Sequence, residues 1–142
     1  MHGAEMNRTL LQLGRSALAL LAAVAAFNIA SVLTIAALSG RNLLDEDAHP
    51  LNATGQIAIV AVFTIAALGG GYLASLIGHT AKLLHSAAFA GLLFAEAILT
   101  DPYTSKFTFT LVDAALFASA ALLGGAVCIW TTRTKRWSPR AW

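Results

Sequence analysis

The chain has 142 residues, 58% of them hydrophobic and 11% charged, with a formal net charge of +2 and a mean hydropathy of +0.72. A soluble domain carries about 25% charged residues, so there is too little polar material here to coat a globule in water, and an ordinary soluble enzyme is excluded. A single cysteine cannot close an internal disulfide, which also excludes a stapled secreted scaffold.

A hydrocarbon core about 30 Å thick takes about 20 apolar helical residues to cross. Charge-free stretches therefore mark the candidate spans. The first has an Ala-, Leu-, Val- and Ile-rich body over 17–38. Arg8 and Arg15 precede it and Ala36, Ala37 and Ser39 close it, in the manner of a secretory signal. The apolar region of a signal holds only about 7–15 residues, so a retained signal-anchor helix is expected instead.

The second span, 57–77, is entered through the turn-forming Pro50, Asn52 and Gly55. A shorter third, 83–99, contains Glu96 and is closed by Asp101-Pro102, a pair that disfavours helix continuation. The fourth, 107–130, carries Asp113 near its start and then no charge before Arg133. None shows the alternation of a barrel strand. The expected fold class is all-α: one integral-membrane domain over 1–142, a four-helix transmembrane bundle.

Orientation follows from the cations. Arg8 and Arg15, Lys82, and Arg133, Lys135, Arg136 and Arg140 fall on one side of a four-span hairpin arrangement, which puts seven of the nine Lys and Arg residues there. Arg41 and Lys106 fall on the other, with Asp45, Glu46, Asp47 and Asp101. The positive-inside rule then makes both termini cytoplasmic, N-in and C-in. Abundant alanine and short loops point to a bacterial inner membrane. Trp130, Trp137 and Trp142 interleave with the C-terminal cations. Directly after a span, that mixture reads as an anchor at anionic headgroups, and no nucleic-acid partner is expected.

Inside lipid, helices associate by close fit, which favours small residues. Ala22, Ala26, Ala30 and Thr34 form such a stripe in the first span. Ala66, Gly70, Ala74 and Gly78 form one in the second, and Ala87, Gly91 and Ala95 one in the third. The fourth has Ala114 with Ala118 and Ala120 with Gly124. Gly70, Ala74, Gly78 and Gly91 are the expected packing residues. Gly69-Gly70-Gly71 weakens its helix by about 1 kcal/mol per glycine relative to alanine, which close approach of a neighbouring backbone would offset.

Ionisable groups within spans are costly and mark function by default. Glu96 and Asp113 are equidistant from the centre of the loop between the third and fourth spans, so an antiparallel hairpin sets them at similar depth. Together they are the candidate proton or cation site; Lys106, Thr108 and Thr110 are the neighbours that would instead neutralise them. His85 lies eleven residues before Glu96, on the same helix face and some 16 Å away along the axis. It is the candidate relay or ligand. No cofactor is expected, with haem or a pigment held through His85 left open; His79, six residues earlier and nearly opposite on a helix, does not complete a pair.

Asp45-Glu46-Asp47 with His49 lacks the spacing of a calcium loop and reads as solvated, so no metal site is expected. Phosphate loops, CxxC pairs, His-Glu-x-x-His sites and nucleophile elbows are missing from the sequence. Cys128 reads as packing. The expected function is a non-catalytic membrane subunit or scaffold, not an enzyme, partnered by the bilayer and by other membrane subunits or copies of itself. The competing expectation is a small oligomeric channel or proton/cation-coupled transporter using Glu96 and Asp113.

Overall fold

In a computed structural model, which describes residues 2–45, 50–78, 81–99 and 111–134, the chain forms helices α1 (His2–Ser39), α2 (Ala53–Gly78), α3 (Lys82–Leu99) and α4 (Leu111–Thr134). Three of them are long and apolar enough to cross a membrane, over Thr9–Ser39, Ala53–Gly78 and Leu111–Arg133. Most large apolar side chains, such as Leu21, Ile65 and Leu123, cover the outside, while alanines, glycines and a few phenylalanines fill the inside. That inversion of the water-soluble pattern is the make-up of a membrane-embedded helical protein. At 18 residues, α3 is the shortest helix and covers about 27 Å.

Helix α1 starts well before the expected 17–38. Arg8 and Arg15 interrupt the apolar run but not the helix, because the preceding residues include good helix formers and no proline. At the other end α1 closes in a Schellman turn: the Leu43 N–H donates to the Leu38 carbonyl (3.1 Å) and the Asn42 N–H to that of Ser39 (3.0 Å). Asn42 takes the left-handed conformation this requires (φ 54°). Asn52 then caps α2, its Oδ1 accepting from the Gly55 N–H at 2.9 Å. The cap adds a turn containing Thr54 and Gln56 ahead of the expected start at 57. The first four residues expected in the last span, 107–110, lie outside the described residues.

Helix α2 packs against all three others, most extensively α4 and α1; α3 packs on α4 and α2 and lightly on α1, whereas α1 and α4 do not meet among the described residues. The core is an aromatic cluster with one ring from each helix. Phe27 meets Phe63 edge-on with centroids 5.5 Å apart, and Phe89 at 6.3 Å; Phe63 lies 6.0 Å from Phe117. All four rings are buried, and such pairs contribute about 0.5–1.5 kcal/mol each beyond burial.

Glycines set the closest approaches. A Cβ on Gly71 would strike the Ala121 backbone, and one on Gly124 the Leu68 carbonyl, so α2 and α4 touch backbone to backbone. Gly70 makes room for the Phe89 ring and Gly78 for the His85 ring. Ala74 is fully buried. The triple glycine is thus explained at two of its positions, since Gly69 has open space. Gly91 is exposed and likewise has nothing within 4 Å of where a Cβ would lie; within this chain it packs on nothing. In α1 the buried positions are Ala19, Ala23, Phe27, Thr34 and Leu38, with Ala22, Ala26 and Ala30 half-buried beside them.

Candidate functional site

His85 lies in the first turn of α3 with Ser86 beside it, and the other helices carry scattered hydroxyls, among them Ser16, Ser75 and Thr132. The fold joins Ser16, Ser75 and Thr132 to the start of α3 in a polar node. His85 is buried, 6% exposed. Its Nδ1 lies 2.8 Å from the Ala81 carbonyl and its Nε2 2.9 Å from Ser16 Oγ on α1. A carbonyl only accepts, so Nδ1 carries the proton; in the neutral ring Nε2 is then the acceptor and the Ser16 hydroxyl donates. Gly78 of α2 forms the floor beneath the ring.

The same turn of α3 is tied to the other two helices. Ser75 on α2, fully buried, donates from Oγ to the Lys82 carbonyl at 2.7 Å. Lys82 Nζ donates to Thr132 Oγ1 on α4 at 2.8 Å, and Thr132 donates in turn to the Cys128 carbonyl at 2.8 Å. Gly125 of α4 admits Ser86 and Ser75 to the junction of α2, α3 and α4. A single turn therefore bonds to α1, α2 and α4. These bonds also set the Ser16 level of α1, the turn between α2 and α3, and the Thr132 end of α4 at one end of the bundle.

Of the expected site residues, His85 enters this node and the carboxylates do not. Glu96 is exposed near the end of α3, and Asp113 is half-buried in the first turn of α4. Each is engaged in at least one interaction. Their would-be neutralisers Lys106, Thr108 and Thr110, like His79 and the Glu46-Asp47-His49 part of the first loop, lie outside the described residues. Phe89 and Leu93, both buried, stand on α3 between His85 and Glu96, and neither can pass a proton. A ligand approaching His85 Nε2 would have to displace the Ser16 hydroxyl. Among the described residues no three His, Cys, Asp or Glu side chains group to hold a metal ion.

Ser16, Ser75, Ser86 and Thr132 escape the sequence reading. One signal was available: Ser75 and Lys82 flank a very short turn, which forces the end of α2 and the start of α3 together. Chemically the node donates and accepts within itself, which suits holding helices in register. No family model, no curated protein and no solved structure matches the chain.

Proposed function

We propose that this protein is a non-catalytic subunit or scaffold of a larger membrane complex, crossing a bacterial inner membrane four times with both termini cytoplasmic. The observation that carries the reading is the aromatic plug. Phe27, Phe63, Phe89 and Phe117 meet at the centre of the bundle, where a path through a single chain would have to run. Backbone contact between α2 and α4 and the bonds from the first turn of α3 favour a rigid body over a gated one. The fourth crossing is α3, whose 18 residues reach about 27 Å, within the range of a thin or locally adapted bilayer.

Purification from native membranes in mild detergent tests the reading. A stoichiometric complex with other membrane proteins, unchanged in composition and activity by Glu96→Gln with Asp113→Asn, is the expected result. Elution alone as a uniform homo-oligomer would defeat it. The transporter reading keeps one observation in its favour, the exposure of Glu96, which would let several copies line a shared path. In that case ion flux into proteoliposomes would be present and would vanish in the double variant.

A further inference from the structure

We propose that the outer face of α1 around Arg15 is a docking surface for anionic phospholipid, with Arg15 holding the headgroup phosphate and Leu18 and Ile29 lying along an acyl chain. The apolar part of α1, Thr9–Ser39, has 31 residues and so extends about 46 Å, against a hydrocarbon core of about 30 Å. From Ser39 up to Arg15 the helix covers about 36 Å. Arg15 thereby reaches the headgroup layer when Ser39 sits at the opposite surface, and Leu10, Leu11 and Leu13 lie in the interfacial zone beyond it.

Burial agrees. Residues 9–15 are all exposed, and contact with the bundle begins at Ser16. Leu11, Arg15 and Leu18 follow one another at four- and three-residue spacing, so they share a face; Leu11 is 65% and Leu18 58% exposed. Ile29, eleven residues after Leu18, continues the same face toward the bilayer centre and is exposed too. A cation at the head of an apolar track matches one phospholipid, end for end.

Charge selects an anionic one. The Ser16–His85 and Lys82–Thr132 bonds place Arg15, Lys82 and Arg133 at the same end of the molecule. The chain's acidic residues other than Glu5 belong to the opposite half of the topology. Anionic lipid is attracted to such an end by each cation near the surface.

The test reconstitutes the full chain in phosphatidylcholine vesicles containing a minor fraction of either brominated phosphatidylglycerol or brominated phosphatidylcholine. Tryptophan fluorescence is read from Leu18→Trp, on the exposed face of α1 next to Arg15, with Trp130, Trp137 and Trp142 changed to phenylalanine. Stronger quenching by the brominated phosphatidylglycerol is expected. Arg15→Gln should weaken that preference about fivefold, while Arg41→Gln, at the other end, leaves it unchanged. Equal quenching by the two lipids, or an Arg41→Gln effect as large as that of Arg15→Gln, overturns the proposal. So does efficient Leu11→Cys to Leu11→Cys cross-linking between chains, which would make a second copy the occupant of this face.

Discussion

Ser16 and His85, 69 residues apart in the chain, are joined by a 2.9 Å hydrogen bond between Oγ and Nε2. It links the two helices that otherwise touch least among those in contact, α1 and α3. Because Nδ1 is held by the Ala81 carbonyl, the ring cannot turn to another partner without losing both bonds. The bond therefore fixes the rotation of α3 relative to α1 as well as their separation.

Removing the two partners should have unequal effects. Ser16→Ala deletes one interhelical bond, worth about 0.6 kcal/mol in a membrane. His85→Ala deletes both bonds and empties the space above Gly78, a large-to-small change that costs about 2–4 kcal/mol. Unfolding titrations in mixed micelles measure both. Once His85 is gone, Ser16→Ala should add almost nothing, since the two residues act as one unit. Full additivity would mean that the bond does not form.

The glycines divide sharply by position. Gly71→Leu and Gly124→Val drive a side chain into the backbone of the facing helix, and neither α2 nor α4 can retreat without opening the core. Both variants should fail to yield monodisperse protein. Gly91→Ala meets nothing and gains the helix propensity of alanine, up to about 1 kcal/mol. It should be neutral or stabilising for the isolated protein, as read by thermal aggregation in detergent. The opposite ranking would mean that α2 and α4 do not cross at these residues.

Gly70 and Phe89 form a matched pair. The ring lies where a Gly70 Cβ would point, about 2.5 Å from its ideal position. Gly70→Ala should therefore cost about 1–3 kcal/mol through overpacking, and Phe89→Leu in the same chain should recover part of that loss. Phe89→Ala alone should cost about 3–5 kcal/mol. The readout is again unfolding in micelles. Absence of any recovery in the double variant would separate the two residues.

The three long apolar helices were legible because a charge-free run of apolar residues reports burial in lipid directly. Which face of each helix turns inward was not. In water the polar face of a helix identifies itself; in lipid the core and the surroundings are equally apolar, so Gly91 and Gly124 read alike although one faces out and the other is crossed by α2. The phenylalanines were hidden for the same reason, dissolved among leucines. Ser16 and Ser75 were hidden because serine passes as a small residue in an alanine-rich chain until a partner on another helix is seen. The helical stretch ahead of the first span was missed because Arg8 and Arg15 end an apolar run without ending a helix. Asn52 was legible as a turn former, and its capping bond to Gly55 follows from that chemistry.

The proposed four crossings would put Ser16 of α1 and Thr132 of α4 on the same, cytoplasmic side. Single cysteines at Gln12, Asp45 and Arg133, each in a Cys128→Ser background, can be challenged in intact cells with a membrane-impermeant maleimide. Labelling of Asp45→Cys alone is predicted, with Gln12→Cys and Arg133→Cys reacting only after the membrane is opened. Reaction of Gln12→Cys from outside, or reaction of Gln12→Cys and Arg133→Cys from opposite sides, would contradict it.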